Sequence, residues 1–283
     1  MAEGMREAHM VESREIPEGV DPATPSPARL YDYYLGGENN FQVDRDAAEQ
    51  MRLVMPELSD AAWANRGFHQ RAAKWMARRG VRQFIDIGSG LPTRGNTHDA
   101  VQAVDPAARV VYVDNDPMVT AYARGLLAGD GSTSFIQGDL NDPDGIFGHP
   151  DLRRLIDLGE PTGLLMTAVV HFVGDAGDPW GLVARYAAAV APGSYLALSH
   201  STMDKLPPRM VDAGLAMYAR ASQRLYPRSK AEVERFFEGL EFVPPYPGAA
   251  AAVCHAGLWG AEDPEAADSD GSRVIYCGVA RRP

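Results

Sequence analysis

The chain has 283 residues, of which 45% are hydrophobic and 23% charged, a balance typical of soluble globular proteins of one large or two small domains. Its 27 basic and 38 acidic side chains give a formal net charge of -11, which excludes a bulk attraction to nucleic acid or anionic membranes. No apolar run reaches the roughly 20 residues of a membrane span, and the N-terminus lacks the apolar core of a signal peptide. We therefore predict a cytoplasmic protein.

The N-terminal part of the chain predicts an arm followed by helices. Residues 1–27 mix Glu, Pro and small residues without periodicity, which predicts a disordered arm. An aromatic segment begins at Ala28, breaks at Gly36-Gly37 and resumes with helical composition. A longer helical pattern covers residues 59–79 and stops at Gly80. We predict that residues 28–80 form a helical lid.

From residue 81 onward, short apolar runs alternate with helical patterns. The predicted strands cover residues 83–87, 110–113, 133–137, 163–170, 195–199, 240–243 and 274–280. Helix-start signals follow most of them, including Asn96 with Asp99, Asp116-Pro117 and Asp178-Pro179. Alternation of strand and helix predicts a mostly parallel sheet with right-handed crossovers. Because the last two strands are separated by no strong helix, we predict an antiparallel strand near the C-terminus and seven strands in all.

Cys254 and Cys277 show neither a CxxC pair nor a metal-binding spacing. We interpret them as reduced thiols that pack in the interior, as unpaired cysteines in cytosolic proteins commonly do. No metal site is predicted.

Glycines after the first predicted strand indicate a ligand site, because ligands bind at the carboxyl ends of parallel strands. Gly88, Ser89 and Gly90 let the backbone approach a ligand closely, and the next helix points its N-terminus at the same space. Asp86, at the strand end, can orient this loop and, through water, an amino group of the ligand.

Acidic residues follow the second strand. Asp114 lies at the offset where a carboxylate receives ribose hydroxyls, next to Asn115. The alternative for Asp114 is a helix cap, for which Asp116 is better placed. Met118 packs either on an adenine face or in the core.

The third strand is followed by Asp139 and Leu140. The Asp139 carboxylate can accept a hydrogen bond from an adenine amino group, with Leu140 near the ring edge; the alternative is a turn aspartate. The dinucleotide fingerprint G-x-G-x-x-G is incomplete, because Thr93 stands at its third glycine. This departure from the fingerprint disfavours NAD(P) as the bound cofactor.

The segments FIDIGSG (84–90), VVYVDNDP (110–117) and FIQGDL (135–140) resemble ligand-binding motifs of class I S-adenosylmethionine-dependent methyltransferases. Two longer segments, ARLYDYYLGGENNFQVDRDAA (28–48) and GSGLPTRGNTHDAVQAVDPAARVVYVDNDPMV (88–119), resemble the actinobacterial-type S-adenosyl methyltransferase family, long treated as a domain of unknown function. The resemblance extends to the C-terminal strand. It implies a Rossmann-like class I methyltransferase domain over residues 81–283, with S-adenosyl-L-methionine as cofactor.

The resemblance also implies site residues outside the three motifs. Ala168 is assigned to the cofactor site. The N-terminal segment would close over the cofactor or the acceptor pocket, hinged at Gly36-Gly37. The lid residues assigned to the cofactor are Tyr31, Tyr34 and Asn39, with Arg29, Asn40 and Phe41 as further lid candidates; tyrosines of a packed helix are the alternative.

Two histidines are candidates for catalysis. His171 follows the fourth predicted strand, in the loop that the resemblance assigns to methyl transfer. A neutral imidazole there can take a proton from an O–H or N–H acceptor. His200, placed after the fifth strand between Ser199 and Ser201, is the second candidate. A purely structural role is the alternative for both histidines. The sequence lacks the G-x-S-x-G elbow that would indicate a hydrolase.

We therefore interpret the chain as an S-adenosylmethionine-dependent methyltransferase with a small-molecule acceptor. The alternatives are a non-catalytic S-adenosylmethionine-binding or regulatory protein and an NAD(P)-dependent oxidoreductase. Neither nucleic acid nor membrane is an expected partner. The sequence leaves the oligomeric state open, with a homodimer as one option.

Overall fold

The computed structural model describes residues 16–92, 95–126 and 131–283. Within these residues a single sheet is built from eight strands: β1 (Gln83–Ile87), β2 (Arg109–Asp114), β3 (Thr133–Gln137), β4 (Gly163–Thr167), β5 (Tyr195–Ser201), β6 (Glu241–Phe242), β7 (Cys254–His255) and β8 (Ile275–Arg281). The order is β3-β2-β1-β4-β5-β8-β6, with β7 paired to β8. Strands β1 to β5 are parallel, whereas β8 is antiparallel to β5, β6 and β7. The predicted mostly parallel α/β sheet is confirmed, and the two-residue β7 is added to the seven predicted strands.

The helices of the described residues connect and cover these strands. They are α1 (Pro27–Tyr34), α2 (Gln42–Arg52), α3 (Leu58–Ala77), α4 (Thr97–Gln102), α5 (Pro117–Leu126), α6 (Pro143–Gly148), α7 (Pro150–Leu155), α8 (Pro179–Ala189), α9 (Pro208–Tyr218), α10 (Lys230–Glu234) and α11 (Pro264–Ala267). Local chemistry sets several starts: the Asp178 carboxylate accepts the Gly181 N–H at 3.1 Å, and Pro179 occupies the first helical position. None of the helices in the described part of the chain is long and apolar enough to cross a membrane.

Both faces of the sheet are covered, so its central strands are apolar on both sides. Phe84 packs on one face with α3 and α4, whereas Ile85 and Ile87 face the other side, where α6, α7 and α8 pack. Helix α3 contributes Phe68 and Met76 to the first of these cores, and both are fully buried. Helix α3 therefore packs in one core with the sheet, whereas α1, α2 and α9 pack together in a separate cluster.

Residues 16–27, which belong to the predicted arm, are among the described residues. Residues 1–15 lie outside the described residues, but Ser26 is buried and held on two sides. Its N–H donates to Asp44 at 3.0 Å, and its hydroxyl donates to Asp116 at 2.8 Å. These contacts between distant segments were not visible in the local composition.

Two strand ends differ from prediction by more than one residue. Strand β4 ends at Thr167, not at residue 170, because Ala168 has φ +53° and its N–H donates to both the carbonyl and the hydroxyl of Ser199. Strand β5 continues to Ser201 through its pairing with β8, which places His200 opposite Tyr276 inside the strand.

The left-handed backbone of Ala168 has a testable consequence. A Cβ in this region costs about 1–2 kcal/mol, so Ala168→Gly is expected to raise the free energy of unfolding by about 0.5–1 kcal/mol after the entropy of glycine is subtracted. Urea unfolding would measure this. The control Ala184→Gly, exposed within α8, should instead lose about 0.5–1 kcal/mol. A loss in both variants would contradict the prediction.

Candidate functional site

A cavity of about 260 Å³ lies at the carboxyl ends of the parallel strands and extends to α1, α2 and α9. We call its two parts the polar half and the apolar half. The polar half comprises the lining residues that follow β1, β2 and β3, with residues 26–28 and the polar residues of α3. The apolar half comprises the remaining lining residues. They belong to α1, to α2 and the turn after it, to Ala61 and Ala62 of α3, to the turn after β4, and to segments 201–206, 214–225 and 274–275. The predicted site residues that line the cavity are Tyr31, Tyr34, Gly88, Ser89, Gly90, Asp114, Asn115, Asp139, Leu140, Ala168 and His171.

The glycine turn after β1 is held by β2. The N–H groups of Gly88 and Ser89 both donate to the Val113 carbonyl, at 2.8 and 3.1 Å. Gly88 has φ +69°, and a Cβ there would lie 2.2 Å from the Val169 side chain. At Gly90, with φ +67°, no atom lies within 4 Å of the Cβ position. Glycine is therefore required at Gly88 by packing and by backbone, and at Gly90 by backbone, beside open space for a ligand.

Of the two roles considered after β2, Asp116 takes the helix cap and Asp114 remains available to a ligand. Asp116 caps α5 by accepting the Met118 N–H at 2.8 Å. The Asp114 carboxylate lines the cavity and accepts the N–H groups of Gly90 and Asp116, at 2.8 and 2.9 Å. Burial raises the pKa of Asp114 to about 6 against the lowering effect of these bonds. Each carboxylate oxygen retains a lone pair for a ligand hydroxyl.

Asp139 is a turn residue and a cavity residue at once. Its carboxylate accepts both the backbone and the side-chain N–H of Asn141 at 2.9 Å, as the turn interpretation predicts. It also lines the cavity next to Leu140, whose carbonyl accepts the Tyr186 hydroxyl at 2.9 Å. The two interpretations are thus compatible.

Asp86 does not line the cavity, contrary to its predicted place in the cofactor site. A series of hydrogen bonds between buried side chains connects it to the cavity. Its carboxylate accepts the Thr97 hydroxyl at 2.5 Å, so the Thr97 oxygen must accept the His69 Nε2–H at 2.7 Å. His69 Nδ1 then accepts the hydroxyl of Thr167 at 2.9 Å. Burial lowers the pKa of His69 to about 3 and raises that of Asp86 to about 6. His69 is therefore neutral, and its ring and Thr167 form the cavity wall.

Arg66 supplies a cation to the polar half. Its Nη2 donates to the Gly95 carbonyl at 2.9 Å and the Asn96 side chain at 3.3 Å. Its Nε is buried with no partner among the described residues. Sequence reasoning did not assign a role to Asn65, Arg66 or His69. The available signal was a set of polar residues on the otherwise apolar buried face of α3.

His171 lies in the 3₁₀ turn Val170–Phe172 and lines the cavity. Its Nδ1 accepts the Ser201 N–H at 3.1 Å, so the proton of the neutral ring is on Nε2. Burial, aided by Arg228, holds the pKa of His171 well below its ordinary value. A ring in this state offers a donor rather than a free lone pair, and the hydrogen bonding does not support the predicted general base.

His200 is a structural residue of the sheet. It is fully buried inside β5 and does not line the cavity, which corrects its predicted place after the fifth strand. Its Nδ1 donates to the Ser201 carbonyl at 2.8 Å, and its Nε2 accepts from Arg228 at 3.0 Å. Burial lowers the pKa of His200 to about 3, so no proton is exchanged near neutral pH.

Two further predicted cofactor residues lie off the cavity wall. The Asn39 N–H donates to the Asp32 carboxylate at 2.8 Å, in the turn between α1 and α2. Met118 is 2% exposed and packs with Leu91 and Val119, as its core interpretation predicts. Among the other lid candidates, Arg29 forms a buried 2.7 Å ion pair with Asp44. Thr93, which stands at the third glycine of the dinucleotide fingerprint, lies outside the described residues.

The apolar half is lined mainly by methionines, leucines and aromatic rings. Tyr34, Met51 and Met217 pack in one cluster, with Tyr218 against it. The Phe172 ring lies 6.0 Å from that of Tyr218 and 4.4 Å from that of His171. Tyr31 is held by Asn65, whose amide donates to its hydroxyl at 2.9 Å.

A profile of the S-adenosyl methyltransferase family matches residues 13–283. The chain belongs to this family. The predicted family and S-adenosylmethionine as the cofactor are thereby confirmed. No protein among the curated proteins matches the chain.

Two solved structures are similar to this chain in both sequence and fold. A DUF574-family protein of Streptomyces avermitilis is 39% identical, with a TM-score of 0.85 over 93% of this chain and 99% of that one. A candidate methyltransferase of Thermobifida fusca is 36% identical, with a TM-score of 0.85 over 95% of this chain and 99% of that one.

Proposed function

We propose that this S-adenosyl methyltransferase family member is an active enzyme that transfers a methyl group to a small-molecule acceptor. The observation that supports it best is that one cavity joins the polar half to the apolar half. A protein that only binds the cofactor needs the polar half alone. The adjoining apolar half provides room for a second molecule beside the reacting group.

The polar half suits the nucleoside part of the cofactor. Gly88 and Gly90 leave open backbone where a side chain would intrude. Asp114 would accept the ribose hydroxyls, and Asp139 the adenine amino group, as their positions on neighbouring strand ends allow. Asn115 would lie beside the ribose.

The remaining polar groups suit the amino-acid part of the cofactor. Arg66 has a buried Nε with no partner among the described residues, and a carboxylate is the ligand that a guanidinium binds best. Ala168 and the neutral Thr167–His69 pair would lie near the amino group. Asp86 would act only through Thr97 and His69.

When bound, S-adenosylmethionine supplies a methyl group on a positively charged sulfur. The chain's own task is to align the acceptor with that group and to exclude water. Tyr31 and Tyr34 of α1 and Tyr218 of α9 would enclose the acceptor from the side opposite the sheet.

Calorimetry with S-adenosylmethionine, S-adenosylhomocysteine and NAD tests the proposal. We expect the first two to bind and NAD not to bind, since the third glycine of the dinucleotide fingerprint is replaced by Thr93. Formation of S-adenosylhomocysteine over a panel of metabolites would then test transfer. Tight NAD binding without S-adenosylmethionine binding would refute the proposal. Cofactor binding without transfer to any acceptor would favour a binding-only protein.

A further inference from the structure

The apolar half contains no charged side chain among its described lining residues. The charged residues of the cavity wall, Arg66, Asp114, Asp116 and Asp139, all belong to the polar half. An ionised group placed against α1, α2 and α9 would lose its hydration without gaining a counter-charge from the protein. The wall therefore favours an acceptor that carries no ionised group.

The side chains of this wall favour a flat ring system. Phe172 and Tyr218 present tilted rings with centroids 6.0 Å apart, next to Met217, which is 5% exposed. Met51, Met55 and Met203 add further thioether side chains to the lining. Thioethers adapt their shape and make favourable contacts with aromatic rings.

His171 adds a hydrogen-bond donor to this wall. Because Ser201 donates to Nδ1, the other ring nitrogen carries the proton, and this Nε2–H donor has no partner among the described residues. A hydroxyl oxygen has two lone pairs, so it can accept this bond and still attack a methyl group. An amine nitrogen has one lone pair, which the same bond would occupy.

We propose that the acceptor is an uncharged aromatic molecule whose hydroxyl oxygen accepts a hydrogen bond from His171. This inference rests on the proposed methyl transfer. In the transfer the hydroxyl oxygen forms a bond to the methyl carbon, and the electron pair of the broken carbon–sulfur bond stays on sulfur. The hydroxyl proton leaves to solvent. His171 is thus a residue that positions and selects the acceptor by donating a hydrogen bond.

Binding of three probes to the full chain saturated with S-adenosylhomocysteine tests the inference. The probes are 2-naphthol, naphthalene, which lacks the oxygen, and 6-hydroxy-2-naphthoate, which adds a carboxylate. We expect 2-naphthol to bind and the carboxylate to bind at least about 10-fold more weakly. His171→Leu should weaken 2-naphthol about 3- to 10-fold while leaving naphthalene unchanged. His171→Gln, which keeps an N–H donor, should retain most of the affinity.

The contrary outcomes are distinct. Equal or tighter binding of the carboxylate, or equal weakening of 2-naphthol and naphthalene by His171→Leu, would overturn the inference. So would failure of every aromatic probe to bind the chain loaded with S-adenosylhomocysteine, although the proposed function would stand. Failure of S-adenosylhomocysteine itself to bind would instead refute the proposed function.

Discussion

Replacement of Asp114 by alanine is expected to weaken S-adenosylmethionine binding about 100-fold or more. In the proposed complex the carboxylate accepts two ribose hydroxyls, and hydrogen bonds to a charged acceptor contribute about 1.5–3 kcal/mol each. Calorimetric titration of the two proteins would measure the ratio of dissociation constants. Asp105→Ala is a matched control, because Asp105 pairs with Arg82 at 3.2 Å and does not line the cavity.

The pH dependence of binding separates this role from a structural one. Burial raises the pKa of Asp114 to about 6, and ribose hydroxyls donate to the ionised form. Cofactor affinity should therefore rise as the pH increases from 5 to 7.5, and Asp114→Ala should lose most of that rise. Asp86, whose pKa burial also raises to about 6, remains in the variant and accounts for any residual rise. Unchanged affinity in the variant would show that the ribose binds elsewhere.

Replacement of Arg228 by methionine is expected to lower the free energy of unfolding by about 2–4 kcal/mol. Arg228 is 4% exposed. Its guanidinium donates to His200 Nε2 at 3.0 Å and to the Val173 carbonyl at 2.9 Å. Methionine fills similar volume but leaves both buried acceptors without their donor. Urea unfolding would measure the loss.

Arg235→Met is the matched control for Arg228. The guanidinium groups of both residues lie over the Trp180 ring, at 5.1 Å for Arg228 and 3.9 Å for Arg235. Arg235 is half exposed and faces Glu238 at 3.9 Å, so its loss should cost about 0.5 kcal/mol or less. Similar losses in both variants would contradict a specific role for the buried hydrogen bonds of Arg228.

The sequence alone determined the parallel strands of this protein and the groups at their carboxyl ends. The bounds of β1 and β3 agree with prediction residue for residue, because each is a short segment with β-branched and aromatic residues bounded by glycines. The groups that follow β1, β2 and β3 meet at one cavity because carboxyl ends of parallel strands share an edge. Asp114 and Asp139 were therefore predictable from local order alone, as was the cap at Asp116.

Tertiary structure decided the groups that distant segments hold in place. The donor state of His171 depends on the Ser201 N–H, and the place of His200 depends on β5 continuing to pair with β8. Likewise the Arg66 side chain faces the cavity because α3 packs its apolar face on the sheet. Such contacts join residues far apart in the chain, and hydrophobic periodicity carries no information about which of them will form. Local patterns therefore predicted the strand-end groups that line the cavity, whereas its apolar half and the tautomer of His171 became apparent only from the packed structure.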